Sequence, residues 1–277
     1  MKLVVLSDNR TNHTEFESEH GLSVYVEMDT YKCLFDTGAS SLFIRNAAKA
    51  GVDLSKVDYV FISHGHIDHI GGLDAFLKIN TRARVVLSRN ILNQKLYSKR
   101  NGFHEIGLVP DIEKYKDRFI FVEDEASLGD DIQVMKVNTN RFPMPKGNST
   151  LFKVAGAGLE PDDFNHEIVV AVGKDELFVY TGCSHHGLLN MLDTVAGKTS
   201  KKIHYVFGGY HLLDSDVQNV YDMPEEIVEI ANELLRTYPE TLFFTGHCSG
   251  ANACRILKEE LNSQLEVFGS GYEWKTE

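Results

Sequence analysis

Residues 64–69 read His64-Gly65-His66-Ile67-Asp68-His69, which places three imidazoles and a carboxylate in one short stretch. So many titratable side chains are not expected in a packed apolar core, whereas imidazole nitrogens and carboxylate oxygens bind zinc, iron and manganese. Such ions hold a water molecule and make it nucleophilic. The stretch therefore predicts a metal site and, as the leading function, a metal-dependent hydrolase; a histidine-rich surface loop is the alternative.

The segments on either side predict a junction between a strand and a helix. Residues 57–62 form an apolar, β-branched and aromatic run that is typical of a buried strand, and 63–66 would be the loop that follows it. Apolar residues from 67 to 77 have helical spacing, and the glycine pair 71–72 predicts that this helix begins late. Open α/β sheets bind ligands at such junctions.

Histidines recur at the ends of predicted strands in the rest of the chain. An apolar strand, a turn containing Gly or Ser and a helix follow one another four times, with histidines at 64–69, 185–186, 211 and 247. This distribution predicts one shared pocket. Residues 141–163, rich in Pro and Gly, are predicted to be a long loop, and we expect an insert at about 88–165 to cover the active site.

Composition limits the classes of partner. The 277 residues carry a formal net charge of −12, which argues against a nucleic-acid partner because phosphate binding needs a basic surface. A small anionic substrate remains compatible, since a bound cation dominates the local field. The apolar run at the N-terminus is too short for a signal peptide, and no run reaches the length of a membrane span. Four cysteines without a C-x-x-C pair fit a reduced, cytoplasmic protein.

Several strings together resemble the metallo-β-lactamase superfamily across nearly the whole chain. They are L-F-D-T-G (34–38), S-H-G-H-I-D-H-I-G-G-L (63–73), T-G-C-S-H-H-G (181–187), G-G-Y-H-L (208–212) and T-G-H-C-S-G (245–250). With E-H-G-L-S (19–23), they look similar to a branch of metal-dependent hydrolases that resembles dihydropterin ribofuranosyl-aminobenzene phosphate synthases. The resemblance implies a four-layer αβ/βα sandwich of two mixed sheets, formed by a single domain over residues 1–277.

The resemblance also implies a set of metal ligands. By position in the motifs these are His64, His66, Asp68, His69, His185 and His247. Asp36 would support the motif loop by accepting a hydrogen bond from a ligand histidine. Zinc, as one or two ions, is the expected metal, with iron and manganese as alternatives.

Two features of the ligand set stay open at this point. The superfamily usually has Gly-Asp where this chain has Gly182-Cys183, and the cysteine is either a metal ligand, a group behind the ligands or a small apolar filler. The third histidine ligand is best matched by His185, with His186 adjacent to it and His166 as a rival just before the hairpin.

The predicted reaction is attack of a metal-activated water on a small carbonyl or phosphoryl substrate, including anionic or phosphorylated ones. Asp68 would steer the nucleophile, and His211 would stabilise or protonate the leaving group, although a histidine at the edge of the core is the simpler interpretation of His211. The alternatives are a transferase similar to the pterin-pathway synthase, a non-haem iron redox enzyme and a metal-binding protein without turnover. The oligomeric state is not predicted.

Overall fold

The apolar runs of the sequence form short strands in the computed structural model, which describes residues 1–276. In chain order the strands are β1 (Lys2–Ser7), β2 (Ser23–Glu27), β3 (Lys32–Phe35), β4 (Tyr59–Ile62), β5 (Arg84–Ser88), β6 (Leu96–Ser98), β7 (His104–Glu105), β8 (Phe119–Val122), β9 (Glu125–Leu128), β10 (Ile132–Met135), β11 (Leu151–Ala155), β12 (Gly158–Pro161), β13 (Val169–Val172), β14 (Glu176–Tyr180), β15 (Lys202–Gly208), β16 (Leu242–Thr245), β17 (Leu265–Val267) and β18 (Glu273–Lys275).

The helices lie between these strands. They are α1 (Leu42–Lys49), α2 (Ile67–Ile70), α3 (Leu73–Ile79), α4 (Leu188–Lys198), α5 (Pro224–Thr237) and α6 (Ala251–Leu261), with 3-10 helices at Leu54–Lys56, Arg89–Asn93, Glu113–Arg118, Lys146–Thr150 and Asn262–Gln264. Helix α5 begins with proline, whose fixed φ suits the first helical position. Within the described residues, no helix combines the length and apolarity that crossing a membrane would require.

The described chain divides into two units, each of which contains one seven-stranded sheet. The first unit comprises residues 1–123, 152–166 and the segment that begins at Phe268, and the second comprises residues 124–151 and 167–267. The expectation that the chain behaves as a single domain stays a prediction.

The sheet of the first unit has the order β18-β1-β2-β3-β4-β5-β8. Its first four strands pair antiparallel, and β3, β4, β5 and β8 pair parallel. Alternate strand residues such as Val60 and Val85 form one core cluster with Phe43 of α1 and Phe76 of α3. Because β3 and β4 are parallel neighbours, the turn at Asp36 and the loop at 63–66 leave the same edge of the sheet.

The sheet of the second unit has the order β17-β16-β15-β14-β13-β10-β9. Strands β14 to β17 are parallel, and the others pair antiparallel. Helices α4, α5 and α6 bury Leu192, Leu234 and Leu257 in one cluster with Val179 and Phe243 of the sheet. The carboxyl ends of β14, β15 and β16 are therefore adjacent, and each leads into a turn that carries a histidine.

The expectation of a long loop over 141–163 was wrong, because β11 and β12 pair there as a hairpin. The hairpin belongs to a third sheet with the order β12-β11-β6-β7, and it turns at Gly156, whose φ is +57°. The alternating residues 152–155 were too few to outweigh the neighbouring Pro and Gly in the sequence pattern. Strands β8, β9 and β10 extend the two large sheets, and a covering role for the insert at about 88–165 stays a prediction.

The expected late start of the helix after the histidine loop was also wrong. Helix α2 begins directly at Ile67, and the glycine pair separates it from α3. A Cβ atom at Gly71 would lie 2.2 Å from the carbonyl oxygen of Ala39, and one at Gly72 would lie 2.2 Å from that of Thr37. The glycines thus allow the helices to approach the 36–41 turn, and they do not delay the helix.

Candidate functional site

The histidine loop of the first unit is buried although it is polar. His64, His66 and His69 are at most 5% exposed, and Asp68 lies beside them with a side chain that is 14% exposed. Strand β4 and helix α2 hold the two ends of the loop, so the side chains have little freedom. Because burial of polar groups is unfavourable unless they have partners, the hydrogen bonds of this loop define its chemistry.

Asp36 organises the loop from the end of β3. One carboxylate oxygen accepts the backbone N–H of Ser63 at 2.7 Å, and the other accepts the Ser63 hydroxyl at 2.7 Å and Nδ1–H of His69 at 2.6 Å. The Ser63 hydroxyl gives its proton to Asp36, so it accepts the Nδ1–H of His64 at 2.8 Å. The network therefore places the ring protons of both histidines on Nδ1 and their lone pairs on Nε2, as in ligand histidines.

The donor atoms of His64 and His66 converge. Nε2 of His64 lies 3.0 Å from Nδ1 of His66, and the ring centroids of His64 and His69 are 4.1 Å apart. Two nitrogens bound to one tetrahedral zinc ion at 2.0–2.1 Å would be about 3.3 Å apart. Oδ2 of Asp68 lies 3.6 Å from Nε2 of His69, which adds an oxygen donor. The residues present therefore fit a divalent metal ion.

Burial keeps these imidazoles neutral. Desolvation, followed by the neighbouring His69, holds the pKa of His64 well below its ordinary value. Desolvation, with a contribution from His166, lowers the pKa of His66 to about 3. Neutral imidazole is the form that binds metal, so the loop is ready to do so at neutral pH.

The metal-free protein should lose stability when it is acidified from pH 6.5 to pH 5. His64 and His66 take up protons in the unfolded state near pH 6.5 but stay neutral in the folded state, where their pKa values are lowered. The unfolded state thus binds more protons, and the free energy of unfolding should fall by about 3 kcal/mol for the two side chains together. Urea unfolding of chelator-treated protein at both pH values measures this fall, and equal stabilities would contradict it.

His166 uses both ring nitrogens within the first unit. Nδ1 accepts the backbone N–H of Gly65 at 3.2 Å, and Nε2–H donates to Oδ2 of Asp162 at 3.1 Å. Burial alone would raise the pKa of Asp162, but the hydrogen bond from His166 lowers it. Donor atoms of His66, Asp162 and His166 lie within 4.8 Å of one another, yet these hydrogen bonds favour a role for His166 in positioning the motif loop.

Glu167 arranges the corresponding turn of the second unit. Its buried carboxylate accepts the backbone N–H groups of His185 at 2.8 Å and His186 at 2.9 Å, and also Nδ1–H of the His186 ring at 2.7 Å. The ring of His185 instead donates Nδ1–H to Oδ1 of Asn148 at 2.9 Å. Both rings therefore carry their lone pair on Nε2, but His185 is buried whereas His186 is only partly buried. The preference for His185 over His186 as a metal ligand stays a prediction.

Glu167 and Asn148 were not identified from the sequence. One sequence pattern could have identified Glu167, because it is a charged residue two positions before the buried apolar strand β13. No sequence pattern pointed to Asn148, because it lies 37 positions from His185 in a segment that was predicted to be a loop.

The turns after β14, β15 and β16 contain strained backbone. The non-glycine residues Ser184, His211 and His247 have φ values of +57°, +50° and +50°. Left-handed conformations at such residues are unfavourable and are concentrated at functional sites. His211 is 2% exposed, its ring centroid is 4.3 Å from that of His185, and Cys183 and Cys248 are buried nearby in the same unit. None of the four cysteines forms a disulfide in the described chain.

Known proteins resemble this chain over its whole length. A 7,8-dihydropterin-6-methyl-4-(beta-D-ribofuranosyl)-aminobenzene-5'-phosphate synthase from Methanocaldococcus jannaschii is 25% identical over 291 residues, covering 98% of this chain and 95% of the relative. The solved structure of Tm1679, described as a metal-dependent hydrolase of the beta-lactamase superfamily, is 32% identical, with a TM-score of 0.78 and coverage of 100% and 99%. A diphosphatase of the PhnP family shares the fold at 16% identity, with a TM-score of 0.52 and coverage of 100% and 98%.

These similarities confirm the predicted α/β fold class, to which the structure adds the third, small sheet. The family model that matches residues 19–191 is that of the Metallo-beta-lactamase superfamily. The match covers more than half of the chain and includes the histidine motif and the turn at 181–187. The chain belongs to the metallo-β-lactamase superfamily.

Proposed function

We propose that this protein is a metal-dependent hydrolase that acts on a small molecule with an electrophilic carbonyl or phosphoryl centre. The observation that carries the proposal is the network around Asp36, which fixes the ring protons of His64 and His69 on Nδ1. A purely structural cluster would not need lone pairs on Nε2 of both rings. The similarity to a metal-dependent hydrolase at 32% identity supports the same proposal.

The proposed metal ligands are the residues that the resemblance to the superfamily implies. They are His64, His66, Asp68, His69, His185 and His247. We propose zinc, as one or two ions, with iron and manganese as ions that the same nitrogen and oxygen donors accept. When bound, such an ion supplies a water of pKa about 7 and stabilises negative charge on the attacked oxygen.

Asp68 is the group that we propose to orient the attacking water. Its Oδ2 lies near Nε2 of His69 on one side and 3.3 Å from Nε2 of His20 on the other. His20 is 65% exposed, so the carboxylate lies where buried loop and solvent meet. A carboxylate there can accept a proton from water and hold it at Oδ2. His211 as a proton donor stays a prediction from the sequence.

The test is a comparison of metal-stripped and reloaded protein. Chelator-treated protein is divided and reloaded with zinc, manganese or ferrous iron, and each sample is assayed with phosphodiesters, lactones and thioesters. We expect turnover of one substrate class to disappear on stripping and to return with one of the metals. Turnover that survives complete removal of metal, or its absence from every reloaded sample, would contradict the proposal.

A transferase is the second candidate, and the 25% identity with a synthase over 98% of the chain favours it. In that reaction the bound metal would stabilise a departing pyrophosphate, and an amine would replace water as the nucleophile. The two candidates differ in one measurement, because a transferase releases pyrophosphate from a pterin diphosphate only when an amine acceptor is present.

The predicted small-molecule substrate and cytoplasmic location also remain proposals.

A further inference from the structure

Three side chains of types that can bind metal follow three neighbouring strands of the second unit, each at the same distance from the end of its strand. Strands β14, β15 and β16 end at Tyr180, Gly208 and Thr245, and the third residue after each end is Cys183, His211 and Cys248 respectively. Because the strands are adjacent and parallel, these residues leave one edge of the sheet side by side. Their donor atoms all lie within 4.8 Å of one another, and all three side chains are at most 8% exposed.

Backbone groups of neighbouring turns contact the sulfur of Cys248. The N–H of His211 donates to Sγ of Cys248 at 3.3 Å, and the thiol points to the carbonyl oxygen of Cys183 at 3.7 Å. A Cβ atom at Gly209 would lie 2.4 Å from the same sulfur, so only glycine leaves room for it. The N–H of His211 would also stabilise the thiolate, the form that binds metal, once the thiol proton has left.

The buried ring of His211 is a second, independent observation that points to a ligand. Neither Nδ1 nor Nε2 makes a hydrogen bond within residues 1–276, although the side chain is almost completely buried. A buried polar group without a hydrogen bond typically costs about 1–3 kcal/mol. The same residue has a φ of +50°, which is a second unfavourable feature at one position. A bound metal ion would satisfy a ring nitrogen that the protein leaves unsatisfied.

We propose that Cys183, His211 and Cys248 together form a zinc site. Two thiolates and one imidazole are a known zinc donor set, and a site with three protein ligands leaves one position open to water or substrate. Thiolate ligands select zinc over the harder ions magnesium and manganese. Binding releases the two thiol protons to solvent.

This assignment changes the role of His211 and does not depend on the proposed hydrolase activity. With one ring nitrogen on the metal, the imidazole is no longer a general acid, and its other nitrogen can only donate a hydrogen bond. All three ligands belong to the second unit. The site therefore requires no residue of the histidine motif.

Cobalt substitution of the protein tests the proposal. Metal-stripped protein is titrated with Co²⁺, and thiolate-to-cobalt charge-transfer absorption and bound cobalt are measured. Cys248→Ser should lose about half of this absorption, because one of two thiolates remains. Cys254→Ser, which removes another buried thiol outside the cluster, should behave like the wild type. The double variant His64→Ala/His66→Ala should lose motif-bound cobalt but keep the absorption.

Two outcomes would overturn the proposal. A Cys248→Ser spectrum equal to that of the wild type would remove Cys248 from the site, and loss of the absorption in the His64→Ala/His66→Ala variant would show that the thiolates serve the motif's metal only. X-ray absorption of the zinc-loaded wild type needs no variant and covers the case in which Cys248→Ser does not fold. We expect zinc–sulfur scattering at about 2.3 Å, and zinc surrounded by nitrogen and oxygen alone would reject the site.

Discussion

Replacement of both His64 and His66 by alanine is expected to remove the motif-bound metal and to lower turnover at least on the order of 10³-fold. Their donor atoms lie 3.0 Å apart, so the two substitutions remove two neighbouring ligands at once. Without the metal, the pKa of the attacking water returns from about 7 to the much higher value of bulk water, which removes the nucleophile at neutral pH. Elemental analysis and kinetics with the substrate class found in the reloading assay measure both losses.

The matched control removes the same number of histidines from the surface. His13 and His104 are exposed, and the double variant His13→Ala/His104→Ala should keep its metal and its turnover. Circular dichroism of both double variants separates loss of metal from loss of fold. Full metal content in the folded His64→Ala/His66→Ala protein would show that the motif is not a metal site.

Asp36→Asn should weaken metal binding about 10–100-fold, the range typical for groups that orient ligand histidines. The substitution keeps the shape of the side chain but places an NH₂ group opposite the Ser63 hydroxyl and Nδ1–H of His69. His69 can then regain a hydrogen bond only by moving its proton to Nε2, the nitrogen that we propose to bind metal. A buried mismatch of this kind should also lower the free energy of unfolding by about 1–3 kcal/mol.

Competition with a chromophoric chelator measures the change in affinity. Asp29→Asn, in the exposed hairpin between β2 and β3, is the control and should bind metal like the wild type. Unchanged affinity in Asp36→Asn would mean that the network is structural and does not tune the metal ligands. A stability loss without an affinity loss would lead to the same conclusion.

The position of the histidine motif between a strand and a helix was predictable, because the apolar runs on either side of it are local features of the sequence. The hydrogen-bond partners of His166, His185 and His186, which are Asp162, Asn148 and Glu167 respectively, were not predictable. These partners depend on the folded arrangement of loops. No local pattern encodes them.

Other features were missed for different physical reasons. Cys248 lies in the motif string 245–250, but the sequence did not pair it with Cys183, because their proximity arises from neighbouring parallel strands and not from spacing along the chain. Gly71 and Gly72 were interpreted as weak helix formers, whereas their role is contact with the 36–41 turn. Local propensity predicted most strands, whereas the roles of Cys248, Gly71 and Gly72 depend on tertiary contacts.

The pairing of β18 with β1 affects how the chain folds during synthesis. Strand β1 is translated before the other strands of its sheet, but one of its edges stays open until residues 273–275 leave the ribosome. At 5–20 residues per second, this delay lasts roughly 15–50 seconds. An open strand edge is a template for intermolecular pairing, so this edge of the nascent sheet can pair with another chain until β18 occupies it.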